Sequence, residues 1–184
     1  MQGLGTESMA PFLEGVSVMK HCSPHRMKLD AKHLEDKVVA LFFSAGWYKP
    51  CRDFSNAFKK FCDKVSFKHF AVIVLNHDVR EKDFKAYFLT GHKHWLWVQY
   101  GDPVIQTLKD EYNVYGIPTL MVVNNVGDVL VKNARSEIQQ NPKGSEMVLN
   151  RWQKLAGVCP TSPTVIPTRN LFKKLQCFDV DDDQ

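Results

Sequence analysis

Two different periods of apolar residues run along this chain. Val38-Val39-Ala40-Leu41-Phe42-Phe43-Ser44-Ala45 and Phe70-Ala71-Val72-Ile73-Val74-Leu75 are continuous apolar runs, the first bounded by charge on one side and Gly46 on the other. Runs of this length without polar alternation suit strands buried on both faces. After the first run the spacing changes. Phe54, Phe58, Phe61, Cys62 and Val65 recur at helical intervals, which predicts a helix from Pro50 to about Val65 with its proline in the first turn, where a missing N–H costs nothing. Helices are also predicted over Glu81-Leu89, carried by Phe84, Tyr87 and Phe88, and over Pro103-Asn113, carried by Ile105, Leu108 and Tyr112. A last helix, Glu146-Leu155, has Met147, Leu149 and Trp152 as its buried stripe. Pro118-Asn124 and Val129-Lys132 read as a hairpin around Asn125-Val126-Gly127-Asp128. Near the start, Phe12 to Val18 reads as a short strand and Met27-Lys37 as a helix built on Leu29 and Leu34. Strand followed by helix, repeated, implies a parallel central sheet with crossover helices.

The organisation that follows is a flexible leader over 1–11, one domain over 12–156, and a flexible tail over 157–184. The tail holds Pro160, Pro163 and Pro167 and an acidic stretch, Asp179-Val180-Asp181-Asp182-Asp183, with a short helix expected around Asn170-Gln176. The 184 residues, 44% hydrophobic and 24% charged, suffice for one globular core. The net charge of +4 is spread, with 24 basic residues interspersed among 20 acidic ones. No basic stripe emerges, so nucleic-acid binding is not expected. No run approaches the ~18 apolar residues of a membrane span, and the first twenty residues carry Glu7 and Glu14 in place of a secretory leader's apolar centre. Five cysteines (Cys22, Cys51, Cys62, Cys159, Cys177) form an odd, irregular set, which predicts free thiols in a reducing compartment, cytoplasmic or nuclear.

The chemistry concentrates in Trp47-Tyr48-Lys49-Pro50-Cys51. A redox dithiol of the form Trp-Cys-x-Pro-Cys would place cysteines at 48 and 51, and position 48 is a tyrosine. The buried strand, this turn, the aromatic helix, and Gly116-Ile117-Pro118-Thr119 before an antiparallel hairpin stand in an order that resembles the thioredoxin superfamily. Within it the chain is most similar to the tryparedoxin and nucleoredoxin-like branch. That likeness is carried by Leu41-Phe42-Phe43-Ser44-Ala45-x-Trp47, Trp95-Leu96-x-Val98 before Asp102-Pro103, Tyr112-Asn113-Val114-Tyr115-Gly116-Ile117-Pro118-Thr119-Leu120, and Asn125-x-Gly127-Asp128-Val129. It covers roughly residues 12 to 155 and implies a thioredoxin-like α/β domain, a central mixed sheet with helices on both faces.

The resemblance also implies a cis Ile117-Pro118 bond beside the active loop, where the base rate for X-Pro bonds would favour trans. It assigns a protein or peptide partner to the groove around Trp47, Tyr48, Pro50, Ile117 and Pro118. In family members the first cysteine is the exposed nucleophile and the second resolves the mixed disulfide. A phenol with a pKa near 10 cannot enter disulfide exchange, so the two-cysteine cycle is excluded here. Two readings remain. One is a divergent member that has lost dithiol activity and acts as a binding or regulatory module. The other is a single-thiol protein-disulfide reductase using Cys51, with the thioredoxin or glutathione system as its partner, activated by the N–H groups at the helix N-terminus. The buried aspartate of thioredoxins is matched by Phe42, which agrees with the tryparedoxin branch and removes a proton acceptor. Cys62, eleven residues after Cys51 and ~16 Å further along a helix, is expected in the core. His21-Cys22-Ser23-Pro24-His25 and His92-Lys93-His94 have ligand types at short spacing but no second cluster, so surface loops are expected, with no metal and no cofactor. Trp95 and Trp97 alternate as a strand edge would, with packing against the sheet as the expected role, and Asp53 and Asp78 read as isolated carboxylates.

Overall fold

A computed structural model describes residues 13–20 and 23–158. The expected leader, the tail with its helix around Asn170-Gln176, and Cys22, Cys159 and Cys177 lie outside the described residues. One seven-stranded sheet runs through the domain. Its strands are β1 (Ser17–Lys20), β2 (Ser23–Lys28), β3 (Val38–Ser44), β4 (Phe70–Asn76), β5 (Leu96–Val98), β6 (Thr119–Val123) and β7 (Val129–Val131), in the spatial order β2-β1-β5-β4-β3-β6-β7. Strands β3, β4 and β5 are mutually parallel, and β1, β2, β6 and β7 pair antiparallel to their neighbours. The sheet is therefore mixed, as expected. The helices are α1 (Ala31–Leu34), α2 (Lys49–Cys62), α3 (Glu81–Phe88), α4 (Val104–Glu111), α5 (Ala134–Gln140) and α6 (Ser145–Leu155).

Because successive strand residues face opposite sides, the fully buried β3 and β4 feed two cores. Val38, Ala40, Phe42, Val72 and Val74 pack under α2, α3, α5 and α6. Val39, Leu41, Phe43, Ile73 and Leu75 face α1 and α4. The aromatic stripe foreseen on α2 is the centre of the first core. Phe42 meets Phe54, Phe58 and Trp95 edge to face at centroid distances of 5.7, 5.5 and 5.6 Å. Truncating a buried ring of this kind to alanine costs about 3–5 kcal/mol.

Several expectations are corrected. Over Met27-Lys37 the helical reading fails, since β2 pairs Met27 with Val18 and Lys28 with Ser17, and only Ala31–Leu34 is helical. Two leucines five residues apart do not fix a helical face, while pairing with β1 satisfies the backbone. The first strand starts at Ser17 because Leu13 to Gly15 forms a turn, with Gly15 at φ 72°. Strand β5 lies inside the sheet between β1 and β4 and not at an edge, and Trp95 and Trp97 are fully buried in the packing expected of them. On α6 the buried residues are Ser145, Val148, Leu149, Trp152 and Gln153, and Met147 is exposed. Helix α5 was not foreseen, though the Asn133 side chain caps it by accepting from the Ser136 N–H at 3.3 Å.

Register brings three chain segments to one end of the sheet. Phe43 stands opposite Thr119, and Ser44 beside Asn76. The exit of β3 into Gly46-Trp47, the exit of β4 into His77-Asp78, and the entry of Ile117-Pro118 into β6 therefore meet. In open α/β sheets this end, outside the carboxyl termini of the parallel strands, is where ligands bind.

Candidate functional site

The loop that leaves β3 enters α2 after four residues, Ala45 to Tyr48. Tyr48 is the N-cap in an extended conformation, Lys49 and Pro50 open the helix, and the Tyr48 side chain makes no capping bond. The Tyr48 carbonyl instead accepts from the N–H groups of Cys51 (3.1 Å) and Arg52 (3.3 Å). The phenol is thus left at the surface. Trp47 is 56% and Tyr48 37% exposed, with ring centroids 5.3 Å apart. Paired aromatic rings at the mouth of a loop, one with a hydroxyl, can stack on a ligand and hydrogen-bond to it.

Cys51 sits one turn inside with no exposed surface. Its thiol is pushed above the usual range chiefly by burial; hydrogen bonds from the Ser44 side chain and the Ala45 backbone pull it down, Asp78 raises it and Arg135 lowers it. Burial wins because a thiolate loses its hydration there. Around the thiol lies a small polar network. The hydroxyls of Ser44 and Tyr87 are 2.7 Å apart, and Tyr87 also reaches the Cys51 carbonyl at 3.5 Å. Burial drives the Tyr87 phenol up to about 12. Cys62 lies in the core, as expected. It is buried, its thiol is raised strongly by desolvation, and it accepts the Trp95 indole N–H at 3.3 Å.

Asp78 is not isolated. Its carboxylate, 7% exposed, accepts from the Gly46 N–H (2.8 and 3.1 Å), the Trp47 N–H (3.2 Å) and the Asn76 amide (2.8 Å). It ties the end of β4 to the loop that presents Trp47. Gly46 is needed there, since a Cβ would lie 2.7 Å from the Tyr87 Cβ. Asp53 is also partnered, by Lys49 at 2.6 Å on the exposed face of α2.

The Ile117-Pro118 bond is cis, as the resemblance implied. Pro118 is buried and Ile117 half-buried against the second core. A recess of about 290 Å³ opens beside them, walled in part by Tyr115, Pro118, Lys132 and Arg135. Arg135 links this recess to the thiol side. Its guanidinium donates to the Pro118 carbonyl at 3.4 Å, lies 5.7 Å over the Phe54 ring, and is close enough to Cys51 to favour its thiolate.

A thioredoxin-like family model matches residues 36–129. The chain belongs to the thioredoxin-like family. Tryparedoxin of Trypanosoma brucei brucei is 32% identical over 115 residues, covering 61% of this chain and 78% of that protein. Nucleoredoxin of Danio rerio is 31% identical over 137 residues, 72% of this chain but 32% of nucleoredoxin, so the chain spans about a third of that relative. The crystal structure of native tryparedoxin I from Crithidia fasciculata matches with a TM-score of 0.64 at 32% identity, covering 72% of this chain and 91% of that one. The fold is thus thioredoxin-like, in the tryparedoxin and nucleoredoxin branch.

In this thioredoxin-like domain the predicted residues Trp47, Tyr48, Pro50, Cys51, Ile117 and Pro118 all fall at the one sheet end described above. Sequence reasoning missed Asp78, Tyr87 and Arg135. Asn76-x-Asp78 at the end of an apolar strand was a readable signal, whereas Arg135 lies on the unforeseen α5 and had none. Of the two histidine clusters, His21-Cys22-Ser23-Pro24-His25 falls largely outside the described residues. His92 is buried, 3.2 Å from Asp63 and stacked on Phe67, and no group of three or more ligating side chains occurs among the described residues. Among them, too, no helix is long and apolar enough to cross a membrane.

Proposed function

We propose that this chain has lost dithiol-disulfide exchange and serves, in a reducing cytoplasmic or nuclear setting, as a non-covalent binding or regulatory module for extended protein segments. One observation carries the reading. The exposed position at the head of α2 holds the Tyr48 phenol, while the remaining thiol of the pentapeptide, Cys51, is fully buried and harder to ionise than a free cysteine. Disulfide exchange needs an accessible thiolate. Binding needs only shape and exposed contact area, which Trp47, Tyr48 and the recess beside Pro118 supply.

The competing reading, mixed disulfides formed at Cys51 with proteins or glutathione, draws on the hydrogen bonds from Ser44 and Ala45 that favour the thiolate. Burial opposes them and prevails. The test is selection of peptides on the immobilised protein, followed by affinity measurements on the Trp47→Ala/Tyr48→Ala double variant. Two aromatic contacts worth about 1–2 kcal/mol each predict a loss of at least about thirtyfold. Undiminished affinity would remove the groove as the binding site.

A further inference from the structure

A second recess, of about 310 Å³, lies on the other side of Trp47, between the loop and α3. Trp47 forms one wall, Tyr87 and Ala86 line the α3 side, and Arg52, Arg80 and Asp83 complete the lining. Its charge is unbalanced. Arg80 is forked onto Asp83 at 2.6 and 3.0 Å, but Arg52 is held only by the Gly46 carbonyl at 2.7 Å and forms no ion pair among the described residues. An exposed indole beside a guanidinium lacking a carboxylate is suited to an acidic segment that also carries an aromatic or apolar residue.

This chain contains such a segment outside the described residues, Phe178-Asp179-Val180-Asp181-Asp182-Asp183. We propose that it docks in this recess, its aspartates facing Arg52 and Arg80 and Phe178 covering Trp47. The chain is long enough. On α6, Trp152 packs against Phe61 with centroids 5.4 Å apart, and Phe61 lies nine residues along α2 from Arg52, about 14 Å of helix rise. Phe178 follows Val158 by twenty residues, and a chain of that length can reach up to about 65 Å. Tethering of this kind supplies an effective concentration in the millimolar range, so a contact of millimolar affinity is already half formed. Docking needs no external partner, and because it covers Trp47 it competes with the segment binding proposed above, although its own test does not depend on that binding.

Trp47 also provides the readout, because Trp95, Trp97 and Trp152 are fully buried and quenching by neutral acrylamide reports on Trp47 alone, with Trp47→Phe as the control. In the full chain at low salt the indole is shielded. Replacing Asp179, Asp181, Asp182 and Asp183 by Asn, or making Arg52→Gln, raises the quenching constant roughly twofold. About 1 M NaCl, which shortens the screening length to ~3 Å, does the same to the unaltered chain. Circular dichroism confirms that each variant is folded. Quenching of the unaltered chain equal to that of the Asp→Asn variant overturns the proposal. So does a rise in that variant with none in Arg52→Gln, which places the segment elsewhere, and so does shielding that depends on protein concentration, which makes the contact intermolecular.

Discussion

Replacing Asp78 by Ala removes the clamp that holds the Trp47 loop, and its cost can be worked from the contacts. Hydrogen bonds to a charged acceptor contribute about 1.5–3 kcal/mol each, and a buried donor left without a partner costs about 1–3 kcal/mol. The Trp47 N–H, at 3.2 Å on an exposed residue, is readily taken over by water and counts for little. The Gly46 N–H and the Asn76 amide, each 2.8 Å from the carboxylate in a part-buried or buried setting, lose their partner. Relief of the buried charge offsets part of this, leaving about 2–4 kcal/mol of destabilisation for Asp78→Ala. Asp78→Asn, which keeps one acceptor, falls between. Urea unfolding followed by circular dichroism, with a slope of roughly 2 kcal/mol/M, should show the Asp78→Ala midpoint lower by about 1–2 M. A change under about 0.5 kcal/mol would show that the loop holds itself and that Asp78 is incidental.

Three further outcomes are expected. In the folded protein Cys51 should alkylate more slowly than a free cysteine across pH 7 to 9, because burial raises its thiol; site-resolved mass spectrometry reads this directly, and rapid labelling at neutral pH would contradict it. Gly46→Ala should lose about 1–3 kcal/mol, since the new methyl meets Tyr87 Cβ at 2.7 Å; a thermal scan showing no loss would mean that α3 yields easily. His77 and His92 are both held below the ordinary histidine range by burial, in His92 against the pull of Asp63. Their neutral forms fit the fold, so their contribution is intact above about pH 6.5, the unfolded value, and is lost as pH falls from there through the lowered folded values. Urea midpoints measured from pH 7.5 down to 5.5 should therefore decline, and a rise would reverse the sign.

The parts of the fold that were legible in the sequence were those with strong, long periodicity. Continuous apolar β3 and β4 and the phenylalanine stripe of α2 each exclude other local structure, so their positions hold to within a few residues. The β6–β7 hairpin was legible from its Asn125-Val126-Gly127-Asp128 turn, whereas short elements without such a marker were not. Strand β2 has Met27 as its large apolar side chain and is defined by its pairing with β1, and α5 is seven residues long with Ala134 and Ile138 as its buried contacts. The same division applies to the site. Contiguous residues, from Trp47 to Cys51 and Ile117-Pro118, could be read from their spacing and order. Asp78 and Arg135 reach the site only through the topology, one from the end of β4 and one from α5.

The most direct test of the account is the reduction of a model protein disulfide by the purified protein and its Tyr48→Cys variant, in parallel, with a small-molecule dithiol present to return the oxidised protein to its reduced form and a protein-free reaction as the baseline. The account predicts that the unaltered chain leaves the disulfide intact and that the variant, with a second thiol at the exposed head of α2, reduces it with turnover. Turnover by the unaltered chain equal to that of the variant would show that Cys51 works alone and that the loss of dithiol chemistry inferred from Tyr48 is wrong.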